Sequence, residues 1–356
     1  MNSKIQALKN QMKASNLQGM IVSNPNNIRY LTGLTAEGTF LITPKENLFI
    51  TDSRYIEAVN SFLTIDQEIV PYDVKKLNRY DYESIFSGAE NVGFEEKYVT
   101  YEMYKFYLQT YRVNLVETEG LIEIHRMVKE EEELDNIKKA CLITDDCYDY
   151  IKEFVKPGLT EKEIEFEIEK YMKLHGADGL AFGTIVASGP NSSLPHAVPT
   201  NRKVEKNDII QFDFGCKVNG YCSDFSRVIF LGKPTSEMEK VYNFVLKEYR
   251  YIIDNLKEGA DVKNILKQSE QDYKDEKYEL LHSFGHSLGL DIHEEPILSS
   301  RINTNLKKNM VITVEPGAYF SGKFGIRIED TILINKDNCN ALTKSGTTLD
   351  FAKKIC

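Results

Sequence analysis

Asn219-Gly220 restricts the fold of this chain more than any other pair of residues. It separates two strand-like runs, 208–218 and 221–231. An Asn-Gly pair between such runs signals a tight hairpin, because both central residues of a type I′ turn need positive φ. A two-residue turn sets the register, pairing Asp213 with Ser226 and Gly215 with Asp224. Strand side chains alternate, so Asp213 and Asp224 fall diagonally on one face, roughly 6–8 Å apart at Cβ. Gly215 then adds no side chain opposite Asp224. One structural reading is a solvated sheet face. Phe212, Phe214, Phe225, Val228 and Phe230 argue against it, because they make the hairpin read as buried. A buried carboxylate without a partner costs several kcal/mol or keeps its proton. Two on one face suit a shared metal centre.

Further donors follow along the chain. His282, His286 and His293 lie within twelve residues, in a segment whose glycines and serines oppose a helix. A lone histidine is more often a satisfied core residue; the clustering favours His286 as a metal ligand. Glu315 ends the strand-like run 310–314. Glu329 lies in a second run, 325–334, where alternation puts it on the same face as Arg327. The structural alternative there is an Arg327–Glu329 ion pair. The functional one makes Glu329 a ligand and Arg327 a substrate-side or supporting group.

The chain has 356 residues, about twice the length of an ordinary domain. Its first 120 residues alternate helix and strand signals. Ile5, Leu8, Met12 and Leu17 read as a helical face, 19–22 as a strand, Asn24-Pro25-Asn26-Asn27 as a loop, and 39–42 with 48–51 as a hairpin. The aromatic-rich segment 98–111 reads as helical. A long helix opens in Lys129-Glu130-Glu131-Glu132-Glu133, with Leu134, Ile137, Cys141 and Ile151 inward. This places the domain boundary near 124–126. Beyond it, 156–164 resembles 257–265 at an offset of 101 residues, with Thr160 and Asp261 as N-cap types and a long amphipathic helix before each copy. If the repeat is structural, two α/β halves face each other across a cleft.

Composition excludes several classes. Hydrophobic residues make up 42% and charged residues 28%, ordinary for a globular protein. The net charge is −10 with no basic tract, which argues against nucleic acid. Apolar runs such as 332–334 are far too short to span a membrane, and the start has no secretory h-region. Six cysteines without a CxxC pair are expected as reduced thiols in the cytoplasm.

The quoted residues resemble a known family, the pita-bread metallopeptidases, and within it the Xaa-Pro peptidases. The contexts are LPHAVP around His196, DFG followed by GYCSDFSR, GHSLGLDIHEEP, VEPG and GIRIED. The N-terminal part is similar to the creatinase-type domain, on the weaker patterns LTG and TDSRY. The resemblance implies an α/β (α+β) chain with a creatinase-like domain at 1–124 and a pseudo-symmetric catalytic domain at 125–356. It implies that Asp213, Asp224, His286, Glu315 and Glu329 hold two divalent metals. Charge counting agrees, since about four negative charges balance two such ions. Oxygen donors with a single imidazole favour Mn²⁺, then Co²⁺, Fe²⁺ or Zn²⁺.

The implied reaction is hydrolysis of an N-terminal Xaa-Pro bond by a bridging hydroxide, with Glu315 also shuttling a proton. His196 and His293 would bind the scissile group, and His282 and Arg327 would shape the proline side. Short proline-containing peptides are the expected partners, and a homodimer or higher homo-oligomer the expected assembly. The alternatives are an Xaa-Pro dipeptidase (prolidase), with Arg327 binding the terminal carboxylate, a methionine aminopeptidase, and a non-catalytic binding module. Methionine aminopeptidases carry a Phe-Glu-His-Thr context where this chain has Ile328-Glu329-Asp330-Thr331. Creatinases and binding modules are expected to lack ligands that are intact here.

Overall fold

The structure is a computed structural model that describes residues 3–63 and 68–354. It divides into two compact units, Met1–Arg126 and Met127–Cys356.

The first unit is a six-stranded sheet with helices. Its strands are β1 (Gly19–Val22), β2 (Thr39–Ile42), β3 (Asn47–Thr51), β4 (Ile69–Asp73), β5 (Asn91–Phe94) and β6 (Asn114–Glu117), in the order β4-β3-β2-β1-β5-β6. Its helices are α1 (Ser3–Ala14), α2 (Pro25–Thr32), α3 (Ile56–Phe62), α4 (Arg79–Ile85), α5 (Tyr101–Tyr111) and α6 (Glu123–Arg126). The hairpin read at 39–51 forms with Phe40 opposite Phe49. Ile5, Leu8 and Met12 are the buried face of α1, while Leu17 is buried beyond the end of that helix. The loop read at Asn24–Asn27 is instead the start of α2. Asn24 caps it by accepting from the Asn26 N–H at 2.9 Å, and Pro25 takes the first turn, where its missing N–H is harmless.

The second unit repeats one arrangement. Helices α7 (Glu131–Phe154) and α8 (Glu161–Leu174) precede one set of strands, and α9 (Ser236–Asn255) and α10 (Val262–Asp275) precede another. Thr160 caps α8 and Asp261 caps α10, as the 101-residue offset implied. The cap of α9 is Thr235. The first set includes β7 (Gly179–Leu180), β8 (Ile185–Ser188), β9 (Ile209–Asp213), β10 (Cys216–Val218), β11 (Tyr221–Cys222) and β12 (Ser226–Leu231). The second includes β13 (His286–Ser287), β14 (Glu294–Ile297), β15 (Val311–Val314), β16 (Gly317–Phe320), β17 (Phe324–Arg327), β18 (Asp330–Ile334) and β19 (Cys339–Ala341). Strands β12, β9 and β8 are neighbours in one sheet, and β14-β13-β15-β18-β19 form another.

The first sheet packs one face on α7 and α8, and its Phe230 also meets Tyr242 of α9, with ring centroids 5.9 Å apart. Ile164 and Ile168 of α8 meet Phe212, Phe214 and Phe225, while Val245 and Ile252 of α9 meet Ile312 and Ile332. Burying such a side chain stabilises by about 1.5–3 kcal/mol.

The hairpin register is the one set by Asn219-Gly220: Val218 faces Tyr221, Lys217 faces Cys222, and Asp213 faces Ser226. Asn219 and Gly220 both have positive φ. The ladder nevertheless breaks at 214–215 and 223–225. A Cβ on Gly215 would lie 1.9 Å from the Ser223 carbonyl oxygen. Glycine is therefore required there by the close approach of two backbones, and not to clear space for the Asp224 carboxylate.

Candidate metal centre

The donors sit where strands of the two halves end against each other. Asp213 closes β9, and Asp224 lies in the ladder break before β12. His286 opens β13, Glu315 follows β15, and Glu329 falls between β17 and β18. Ser226 joins the halves: it pairs with Asp213 on one side and bridges to Glu329 on the other, whose N–H donates to the Ser226 carbonyl at 3.0 Å. Thr331 holds the backbone of Asp224, donating to its carbonyl at 2.8 Å and accepting from its N–H at 3.2 Å. Gly285 lets β13 approach β15, because a Cβ there would lie 2.0 Å from the Thr313 carbonyl oxygen. The next N–H, that of His286, then donates to Thr313 Oγ1 at 3.1 Å.

The run read as one strand across 325–334 is two. Strand β17 pairs with β16, and β18 pairs with β15, so the chain turns at Ile328-Glu329. The ion pair weighed between Arg327 and Glu329 does not form; the guanidinium pairs with Asp213.

All nine side chains singled out from the sequence line one cavity of about 570 Å³. Among the described residues, Asp224, His286 and Glu329 form the one cluster of three His, Cys, Asp or Glu donors able to hold a metal ion, their ligand atoms within 4.8 Å of one another. His286 Nε2 lies 3.5 Å from Asp224 Oδ2 and 3.7 Å from Glu315 Oε1. Its Nδ1 is 3.0 Å from the Ser287 carbonyl, a contact that needs the proton on Nδ1 and leaves the Nε2 lone pair facing the carboxylates. Burial pushes His286 down to about 4, with the His293 ring 4.4 Å away adding to the shift, so the imidazole is neutral at pH 7.

The acids are displaced the other way. Burial raises Glu315 to about 8; Arg327 opposes this and Asp213 adds to it. Burial and mutual repulsion push Asp224 and Glu329 well above the carboxylate range. Asp213 Oδ1 is buried with no hydrogen-bond partner. An orphaned carboxylate oxygen, three repelling neighbours and an imidazole lone pair aimed at them are the signature of a cation site.

Arg327 and His282 are tied into the wall. The guanidinium donates to Ser226 Oγ at 2.8 Å, Tyr319 Oη at 2.6 Å and the Pro195 carbonyl at 3.3 Å, as well as to Asp213. Tyr319 Oη in turn lies 2.9 Å from His282 Nε2, while His282 Nδ1 meets the Ser283 carbonyl at 2.8 Å. Burial lowers His282 to about 4. Tyr319 therefore links two expected site residues, and no motif in the sequence pointed to it. The only trace is Gly317, where a Cβ would meet Tyr319 Oη at 2.7 Å.

Two α/β halves meeting over buried oxygen donors and one neutral imidazole define a divalent-metal enzyme. The chain belongs to metallopeptidase family M24, whose model matches residues 135–336, and residues 4–128 match the creatinase/prolidase N-terminal domain. An Xaa-Pro dipeptidase of Pyrococcus furiosus is 31% identical over 98% of this chain and 100% of its own length. Among solved structures, an Xaa-Pro dipeptidase from Bacillus anthracis superposes with a TM-score of 0.91 at 32% identity, covering 97% of this chain and 98% of the other. An X-Pro aminopeptidase from Thermotoga maritima gives a TM-score of 0.87 at 29% identity, covering 96% and 99%.

Proposed function

We propose that this chain is a metal-dependent exopeptidase that hydrolyses the N-terminal Xaa-Pro bond of short peptides, in the manner of aminopeptidase P. The observation that carries the reading is one cavity holding four carboxylates, a neutral His286 and three further imidazoles. It occurs in a chain similar over nearly its whole length to proteins named for Xaa-Pro cleavage.

Asp213, Asp224, His286, Glu315 and Glu329 would hold two divalent cations, Mn²⁺ first, because hard oxygen donors dominate the set. When bound, such ions supply Lewis acidity toward a peptide carbonyl and lower the pKa of water. Glu315 is the residue we assign to carry a proton toward the proline nitrogen, which must be protonated before it leaves. His196 and His293 line the same cavity and are assigned to the scissile group.

Peptide length turns on Arg327. Among the described residues lining the cavity it is the one arginine or lysine, and its guanidinium is committed to Asp213, Ser226, Tyr319 and Pro195. A dipeptide's terminal carboxylate would find no uncommitted guanidinium or ammonium there. This favours peptides that continue beyond proline. The dipeptidase reading is favoured by the names of the Pyrococcus and Bacillus relatives. Metal-reconstituted protein assayed on an Xaa-Pro dipeptide and an Xaa-Pro tripeptide separates the two. Asp224→Asn and His286→Ala should each abolish cleavage and lower bound metal. Near-normal activity in either variant overturns the site, and cleavage of Met-Ala-Ser without Xaa-Pro cleavage overturns the specificity.

A cytoplasmic setting and a homo-oligomer complete the proposal. The cysteines at 141, 147, 216, 222 and 339 are free thiols, in keeping with a reducing compartment. Elution from gel filtration at the mass of one protomer would contradict the assembly.

A further inference from the structure

The repeat in the second unit contains one difference that helix packing does not explain. The first residue of α8 is Glu161, and the first residue of α10, 101 positions later, is Val262. Both are buried. The fold accepts a valine at this corner of one half, so the carboxylate in the other half answers a different need.

Its contacts show which. Glu161 Oε1 accepts from the N–H and the Oγ of Ser188, both at 2.7 Å. Oε2 accepts from the N–H of Thr200 at 2.9 Å and from its Oγ1 at 2.6 Å. Asn191 Nδ2 donates to both oxygens, at 3.0 and 3.1 Å. Ser188 and Thr200 are the two ends of the segment that carries His196, so this one side chain joins both ends of that loop; Arg202 Nη1 also donates to Ser188 Oγ at 2.6 Å, and the Lys162 N–H to the Thr200 carbonyl at 3.3 Å, but neither bond reaches both ends. Burial alone would raise the Glu161 carboxyl, but the bonds from Thr200 and Ser188 hold it below the usual range and keep it ionised. Farther along the loop, the Pro195 carbonyl accepts from Arg327 at the cavity wall. No hydrogen bond to another described residue fixes the His196 ring, which is exposed, so its place is set by the backbone that carries it.

We propose that Glu161 is a positioning residue: it clasps both ends of segment 188–200 and thereby holds His196 at the wall of the cavity. The proposal rests on the reading that His196 meets the substrate. A clasp of this kind acts on rate through geometry, where a displacement near 1 Å lowers catalysis by about a hundredfold.

The test is a double-mutant cycle of Glu161→Gln and His196→Ala, assayed on an Xaa-Pro peptide together with hydrogen exchange of residues 188–200. Glutamine keeps the size but cannot accept the same set of donors on both atoms. Expected results are a loss of about a hundredfold in kcat/KM for Glu161→Gln with bound metal unchanged, and a double variant no slower than His196→Ala alone. Exchange protection should fall across the segment. Losses that multiply, a silent His196→Ala, or parent-like activity in Glu161→Gln each overturn the proposal. Unchanged exchange protection overturns it without any assay of activity. Thr200→Val, which removes one donor, repeats the exchange measurement if Glu161→Gln fails to fold. A parent enzyme that cleaves no Xaa-Pro peptide overturns the proposed function instead, and the exchange data still decide the clasp.

Discussion

Removing the cations should invert the ordinary pH dependence of stability in this protein. Glu315 moves from 4.5 to about 8 on folding, while His282 and His286 move from 6.5 to about 4. Between pH 6.5 and 8 both histidines are neutral in the folded chain, while in the unfolded chain each is about half protonated at 6.5 and neutral by 8, which together offsets about 0.8 kcal/mol of the fall in stability that the acids cause. Over the same interval an unfolded Glu315 is ionised, whereas the folded one keeps its proton until about 8. With the raised Asp224 and Glu329 counted beside Glu315, the folded state binds more protons than the unfolded state, so stability falls as pH rises. At ~1.4 kcal/mol per pH unit, Glu315 alone lowers stability by about 2 kcal/mol across the interval. Asp224 and Glu329 shift in the same direction and add to the fall. The assay is urea unfolding of chelator-treated protein, followed by circular dichroism at the two ends of the range. Saturating Mn²⁺ should reverse the trend, because deprotonated ligands bind cations more tightly at higher pH. Glu315→Gln should flatten the metal-free slope by ~1.4 kcal/mol per unit. Metal-free protein that is as stable, or more stable, at the alkaline end refutes the reasoning.

Tyr319→Phe removes the hydroxyl shared by His282 and Arg327; stability should drop by about 1–3 kcal/mol in thermal unfolding, since the buried Arg327 and the half-buried His282 each lose a partner, and Xaa-Pro cleavage should slow. Gly285→Ala places a Cβ 2.0 Å from the Thr313 carbonyl oxygen; β13 must shift, and bound metal measured by atomic absorption should fall because His286 moves with it. Lys129→Met removes the ammonium 3.2 Å from Glu294 and leaves that carboxylate the Asp291 N–H, also at 3.2 Å; breaking this buried ion pair should destabilise by about 3–5 kcal/mol in urea unfolding, and an unchanged midpoint would mean that water reaches Glu294.

Local chemistry made much of this chain legible without coordinates. Asn219-Gly220 determined the register that brings Asp213 opposite Ser226, because only a two-residue turn with positive φ suits that pair. The 101-residue repeat announced α8 and α10 through their caps, since a side chain accepting from the N3 N–H is a contact within four residues. The donors were found for a related reason: carboxylates and imidazoles among phenylalanines and glycines are anomalous wherever they occur. Asn24-Pro25 was misread because an Asn-Pro pair serves a turn and a helix start equally well, and only the chain beyond it decides.

What tertiary structure decided is whatever joins distant segments. Arg327 is committed to Asp213 across 114 positions, and Tyr319 is drawn between Arg327 and His282. The charged run at 129–133 reads as the opening of a long helix, yet Lys129 is buried against Glu294 and Ser287. In the sequence Glu161 is only one position of the repeat at 156–164, yet it joins the two ends of a loop that lie 27 and 39 residues away. A motif records which donors a chain owns. Which acceptor each one meets depends on backbones brought together by packing, and sequence spacing carries no record of that.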